Sequence, residues 1–301
     1  MTRAVVFAYH NVGVRCLKVL LAHGVDVALV VTHEDNPNEE IWFDSVAETA
    51  VRYELPVITP ADPNDPEILA AIAALKPDFL FSFYYRLMLK APLLEVARLG
   101  AYNMHGSLLP KYRGRVPVNW AVLHGERETG ATLHRMVEKP DAGEIVGQQA
   151  VPILPDDTAK EVFDKVTLAA EMCLDRVLPD LIAGTAPHVA QDLSRGGYFG
   201  GRKPEDGRID WLRPAAEVHN LIRAVAPPYP GAFSDTARGR LRVLGSLPAA
   251  DLAIGPPALH AAAGMLYASC GDGGVLRLLA AELDGQPLTA DILGTDTIFL
   301  T

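Results

Sequence analysis

The chain has 301 residues, 49% hydrophobic and 21% charged, with a formal net charge of −10. This is an ordinary globular composition, long enough for about two domains and too apolar for intrinsic disorder. The acidic balance excludes a broad nucleic-acid or anionic-membrane surface, and no stretch reaches the ~18 uncharged apolar residues of a membrane span.

Residues 4–8 form a short continuous apolar run, the pattern of a strand buried on both faces. Residues 12–23 carry apolar side chains at helical spacing and stop at Gly24, a helix terminator. A second apolar run at 25–32 completes a βαβ unit. Ser45 is placed to cap a helix over 47–53. A strand at 56–58, a helix at 65–75 that ends before Pro77, and strands at 79–83 and 101–105 follow. Pro117 opens a helix over 117–123. Strands at 130–136 and 145–153 precede a long helix at 158–182. This alternation predicts an α/β fold, an open, twisted, mainly parallel sheet of Rossmann-like form. From about Pro187 the texture changes: Gly196, Gly197, Gly200, Gly201 and Pro204 mark a linker over 191–207. Beyond it, a helix at 215–225 and short apolar runs at 240–244, 265–269 and 275–279 predict a smaller β-rich, barrel-like (OB-like) domain. The expected organisation is a first domain over 1–190, the linker, and a second domain over 208–301.

Cys16, Cys173 and Cys270 are odd in number and widely spaced, which fits a reducing compartment better than a disulfide framework or a zinc site. The N-terminal apolar run is too short for a signal peptide, so a soluble cytoplasmic protein without a metal is expected.

The chemistry concentrates between residues 101 and 143. Asn103 and His105 are two apart and share one face of a strand near its carboxyl end, the edge where open α/β sheets bind ligands. Histidine moves protons near neutral pH, and an asparagine amide can stabilise an oxyanion. Asp141 lies in a turn-rich loop after the 130–136 strand, where a carboxylate would orient the imidazole and favour its protonated form. No Gly-x-Ser-x-Gly motif is present, and the first βα turn holds one glycine, Gly13, so neither a covalent acyl-enzyme nor dinucleotide chemistry is indicated. Direct attack by a substrate amine on a donor acyl group fits better. Arg113 and Arg115 are two guanidinium groups near the ligand edge, suited to phosphate or carboxylate or else to a solvated face. Tyr9 and His10 follow the first strand and either line a sugar pocket or pack there. His33, His124, His134, His188, His219 and His260 show no ligand spacing and read as structural.

Asn103-Met-His105, Ser107-Leu-Leu-Pro110, Tyr112-Arg-Gly-Arg115 and Asp141-Ala-Gly143 together resemble the motifs of the folate-dependent formyltransferases. The resemblance implies a 10-formyltetrahydrofolate co-substrate and a catalytic set of Asn103, His105 and Asp141. It implies folate contacts, largely through backbone groups, at Leu87, Met88, Leu89 and Arg115 and along Val137, Glu138, Lys139, Pro140 and Asp141. Tyr9, His10, Arg86 and Arg113 are the corresponding candidates for substrate contacts. Further stretches, among them Phe7-Ala-Tyr-His10, Phe81-Ser-Phe-Tyr-Tyr-Arg86, Thr132-Leu-His-Arg-Met136 and Pro230-Gly-Ala-Phe-Ser234, are similar to members that formylate the 4-amine of UDP-4-amino-4-deoxy-L-arabinose in lipid A modification and polymyxin resistance. In those relatives a decarboxylase domain follows, so a chain ending at Thr301 is expected to be a stand-alone transferase. The rivals are a methionyl-tRNA formyltransferase and a non-catalytic folate- or nucleotide-binding module. Seven Arg and no Lys against eleven Asp plus Glu over 204–301 make a poor tRNA platform.

Overall fold

A computed structural model describes residues 1–37, 39–252 and 255–300. In chain order its elements begin with β1 (Arg3–Ala8), α1 (His10–Ala22), β2 (Asp26–Val31), α2 (Val46–Arg52), β3 (Val57–Ile58), α3 (Pro66–Ala74) and β4 (Phe79–Phe83). Then come α4 (Ala91–Leu94), β5 (Gly100–His105), β6 (Arg113–Gly114), α5 (Pro117–Leu123), β7 (Glu128–Arg135), β8 (Ile145–Pro152), α6 (Ala159–Ala183) and β9 (Tyr198–Phe199). The remainder is α7 (Ala215–Ala224), β10 (Ala232–Thr236), β11 (Gly239–Leu252), β12 (Ala258–Ala262), β13 (Met265–Ser269), β14 (Gly274–Leu283), β15 (Gln286–Pro287), α8 (Ala290–Leu293) and β16 (Ile298–Phe299). The chain divides into two compact units, one of Met1–Pro117, Thr129–Val151 and Asp164–Gly200, the other of Val118–Glu128, Pro152–Phe163 and Gly201–Thr301.

The first unit is built on a sheet of order β3-β2-β1-β4-β5-β7-β8. The strands from β3 to β5 pair in parallel, and β7 runs antiparallel to β5. The centre of this sheet is dry: every residue of β4 is buried, as is every residue of β1 after Arg3. That is why these strands read as unbroken apolar runs rather than as alternating ones. Val5, Phe7, Leu29, Val31 and Leu80 form one core cluster with Ile72 of α3 and Leu93 of α4. Ser45 caps α2 as expected, its Oγ accepting from the Glu48 N–H at 3.2 Å. The carboxyl ends of β1, β4 and β5 lie on one edge, so the residues following them are gathered there whatever their separation in sequence.

Two features depart from the sequence reading. The short elements α4, β6 and β9 have no sequence pattern, because two to four residues cannot display a period. The stretch expected as a linker over 191–207 contains β9, which pairs in parallel with β6. Gly196 serves close approach there, since a Cβ on it would stand 1.9 Å from the Pro110 carbonyl oxygen.

In the second unit, β10-β11-β14-β13-β12-β16 form an antiparallel, nearly closed, barrel-like sheet. Trp211 is fully buried in its core and donates from Nε1 to Ser234 Oγ at 2.9 Å. Arg223, also buried, joins three segments of this unit: it donates to the carbonyls of Asp157 (3.0 Å) and Val122 (3.2 Å) and to Asn220 Oδ1. Replacing it with methionine removes these three tethers from a buried site. We predict that Arg223→Met lowers unfolding free energy by about 3 kcal/mol, read by urea denaturation.

Candidate active site

The antiparallel pairing of β5 with β7 sets the site. Its register places His134 opposite Asn103 and Thr132 opposite His105. Thr132 is fully buried and anchors the following loop: its Oγ1 donates to Ser107 O (2.6 Å) and accepts from Leu109 N–H (3.1 Å) and Gln148 Nε2 (2.9 Å). Gln148 Nε2 also donates to Leu109 O at 2.9 Å. The Ser107-Leu-Leu-Pro110 stretch is therefore pinned on β7 and β8, and Ser107 Oγ closes it by donating to Lys111 O at 2.6 Å. The loop then turns back over the imidazole, and His105 Nε2 donates to Tyr112 O at 2.8 Å.

Asp141 arrives from the loop after β7 in a left-handed conformation, φ +51°. Its Oδ2 accepts the Gly114 N–H at 2.8 Å, and its Oδ1 lies 3.6 Å from His105 Nδ1 and 3.4 Å from His134 Nε2. His134 in turn faces Asn103 Nδ2 at 3.1 Å from the same Nε2, while its Nδ1 donates to Arg135 O at 2.9 Å. Asn103, His134, Asp141 and His105 thus form one continuous polar chain. A single nitrogen of His134 meets both an amide donor and a carboxylate acceptor, so it serves one or the other according to its protonation.

Burial by itself pushes the Asp141 carboxyl up, but the charge of His105, the hydrogen bond and charge of His134 and the Gly114 N–H more than reverse this. The net result holds it well below the usual carboxylate range. A depressed folded-state value contributes stability above the unfolded value near ~3.9, and that contribution fades as pH falls through the folded value. At neutral pH Asp141 is a standing anion.

The loops around Asp141 are joined by side chains from distant parts of the chain. Gln191 donates from Nε2 to Asp141 O (3.0 Å) and Gly143 O (2.6 Å), fixing the Asp141 turn from within the expected linker. Arg113 is buried, and its Nη2 donates to the carbonyls of Gly196 (3.3 Å) and Leu193 (3.4 Å), so its guanidinium ties loops together and is not on a solvated face. Arg115 is exposed, with its N–H on Phe199 O at 2.9 Å.

After β1 and β4 lies a separate group. Tyr9 donates to Asp35 Oδ1 at 2.7 Å, under the Arg86 guanidinium 4.7 Å from its ring centre. Burial first, then the Asp35 hydrogen bond, raise the Tyr9 hydroxyl. Arg86 pairs with Glu39 at 2.8 Å and donates its backbone N–H to His33 Nε2 at 3.1 Å. His33 stacks on Tyr85 at 4.1 Å and is lowered to about 4 by burial and by Arg86, so it accepts as a neutral ring. His10 stacks on Phe43 at 3.9 Å. Tyr9, His10 and Arg86 are therefore assembled as one aromatic cluster. Leu87 and Met88 are exposed, Leu89 is buried in the core cluster, and Val137, Glu138 and Lys139 are exposed with Pro140 half-buried.

Sequence reasoning took His134 and His33 as structural and did not single out Gln191, yet all three stand within these clusters. Only the β5–β7 register, which no local pattern encodes, sets His134 beside Asn103.

Comparison with known proteins places two family models on this chain. The formyl transferase model matches residues 11–178, more than half the chain, and the formyl transferase C-terminal domain model matches 202–293. Among solved structures, an N-formyltransferase from Helicobacter canadensis, in complex with folinic acid and dTDP-3-aminofucose, matches with a TM-score of 0.75 at 22% identity, covering 96% of this chain and 100% of its own. WlaRD, a sugar 3N-formyltransferase solved with dTDP and 5-N-formyl-THF, matches with a TM-score of 0.73 at 20% identity, covering 96% and 98%. HypX from Aquifex aeolicus, in complex with tetrahydrofolic acid, matches at 0.65 and 17% identity over 97% of this chain and 47% of its own. At such identities the likeness speaks for the fold.

Gly114 has φ +101°, and a Cβ there would stand 2.2 Å from Phe199 O. Gly114→Ala should force β6 off β9 and draw its N–H away from Asp141. We predict a loss of roughly 1–3 kcal/mol in unfolding free energy, measured by urea denaturation.

Proposed function

The chain belongs to the formyl transferase family, and from that premise we propose that it formylates the amine of a nucleotide-linked amino sugar with 10-formyltetrahydrofolate. The observation that carries this reading is the chain Asn103–His134–Asp141–His105 at the carboxyl edge of β5. The relatives solved with dTDP sugars or folates support the two substrate classes. UDP-4-amino-4-deoxy-L-arabinose is the amino sugar favoured by the sequence motifs. A dTDP-3-amino-6-deoxy sugar is the second reading, favoured by the dTDP-3-aminofucose complex of the Helicobacter canadensis enzyme.

The residues present suit a folate. Leu87 and Met88 leave an exposed apolar surface, Leu89 anchors it in the core, and Met136, next to the exposed Val137, packs on the same cluster. The folate supplies an activated formyl carbonyl, and the amino sugar supplies the nucleophile. Asn103 uses one N–H on His134 and has a second for the carbonyl oxygen. The amine attacks the formyl carbon while His105, freed from Tyr112 O, offers an N–H to the same oxygen; the C–N10 bond then breaks as the proton lost by the amine passes through His105 or water to N10, releasing tetrahydrofolate. Asp141 supports the imidazolium that forms at His105, and His134 Nε2 serves either the Asn103 amide or the carboxylate. Tyr9, His10 and Arg86 are the proposed contacts to the sugar nucleotide, with the Arg86 cation released from Glu39 toward a diphosphate. We assign Arg113 a supporting part, since its guanidinium holds the Gly196 carbonyl.

Two measurements test this. Incubation with 10-formyltetrahydrofolate and a panel of UDP- and dTDP-amino sugars, read by mass, should give a product heavier by one formyl group with one sugar nucleotide and none with charged tRNA. Formylation of tRNA alone would contradict the sugar reading. His105→Ala and Asp141→Asn should each lower kcat by roughly 10²–10⁴-fold with the amino-sugar KM within about threefold. Near-normal turnover in either would remove that residue from the mechanism.

A further inference from the structure

We infer that Asn64 is a positioning residue for the formyl donor, because its side chain fixes the backbone on which the pteridine is proposed to rest. This inference depends on the folate reading above. Asn64 lies in the loop before α3, remote in sequence from the segment it holds. Its amide makes a two-point pairing with that segment: Nδ2 donates to Met88 O at 2.9 Å, and Oδ1 accepts the Lys90 N–H at 2.8 Å. The two bonds bracket Leu89, whose side chain is buried among Val5, Phe7, Leu80 and Leu93. The amide is itself held, since Asp62 Oδ1 accepts from the Asn64 backbone N–H at 2.9 Å and from Nδ2 at 2.8 Å.

The geometry has a directional consequence. A side-chain amide sets an N–H and an acceptor oxygen side by side in one plane, so it pairs with a C=O and an N–H as a neighbouring strand would, and its second N–H is taken by Asp62. Met88 O and Lys90 N–H are occupied in this way. The backbone groups of Leu87 and Leu89 have no hydrogen-bond partner among the described residues. They are the groups left for a flat heteroaromatic ring that carries donors and acceptors on its edge, with the exposed Leu87 and Met88 side chains beside it. Leu89 anchors the segment from the core side, and Asn64 anchors it from the loop side. Without Asn64 the segment keeps its apolar anchor and loses its backbone orientation.

The full chain, Asn64→Ala and Asn64→Asp should be compared for 5-formyltetrahydrofolate binding by calorimetry, for the KM of each substrate, and for thermal midpoint. Asn64→Ala should weaken 5-formyltetrahydrofolate roughly tenfold, the scale of one or two lost net hydrogen bonds. The amino-sugar KM should stay within about twofold, as expected when only donor binding is touched. Asn64→Asp keeps the acceptor for Lys90 but sets a carboxylate oxygen against Met88 O and Asp62 Oδ1, and should weaken the donor at least as much, roughly tenfold or more. Unchanged donor affinity in Asn64→Ala would overturn the inference. So would an equal weakening of both substrates with a lowered midpoint, which marks a purely structural tether. If Asn64→Ala does not fold, Asn64→Asp decides by the same criteria. A wild-type chain that binds no 5-formyltetrahydrofolate would instead overturn the folate reading itself, and this inference with it.

Discussion

A carboxylate withdrawn from bulk water needs partners, because its desolvation costs several kcal/mol that only well-placed charges and donors offset. Asp141 meets that demand from three directions: the Gly114 N–H on one oxygen, and His105 and His134 facing the other. Much of the first unit can be understood as what it takes to hold those three donors still. The β5–β7 register sets His134 beside Asn103. Thr132 and Gln148 pin the loop that returns to His105, the β6–β9 pairing fixes Gly114, and Gln191 fixes the turn that carries Asp141 itself.

This arrangement joins fold to chemistry. A parallel sheet delivers the ends of β1, β4 and β5 to a single edge, where each strand contributes residues without any of them being near the others in sequence. The antiparallel partner β7 then adds a histidine directly opposite Asn103. The anion faces two imidazoles and a peptide N–H, and the Asn103 amide, with one N–H on His134, stands at the far end of the same polar chain. The same anion costs strain, seen in the left-handed backbone of Asp141, of the kind found at ligand-handling turns.

How much of this was legible beforehand divides along physical lines. Strand β4 and helix α5 lie where apolar runs and a proline at the first turn put them, since these signals are local. Asn103 and His105 could be paired because a two-residue spacing fixes a shared face on any strand. His134 could not, because register between distant strands leaves no mark on either one. Arg113 read as a phosphate or carboxylate contact or else a solvated cation, and only the folded loops show its guanidinium buried on the Leu193 and Gly196 carbonyls. The glycines around 196–201 resembled a flexible linker, but at Gly196 the missing side chain makes room for the Pro110 carbonyl. Asn64 sat unnoticed before a helix, in a setting where asparagine is common for turn chemistry alone.

The central claim is that Asp141 is an anion kept ionised by its two histidines and one peptide N–H. Carbon-13 labelling of aspartate, with Asp141 assigned through its absence in Asp141→Asn, allows its carboxyl resonance to be followed by NMR as pH falls. The account predicts a flat signal through the ordinary carboxylate range, with no inflection near ~4. An inflection at or above that value would show that the histidines and Gly114 do not hold the charge, and the account of the site would not stand.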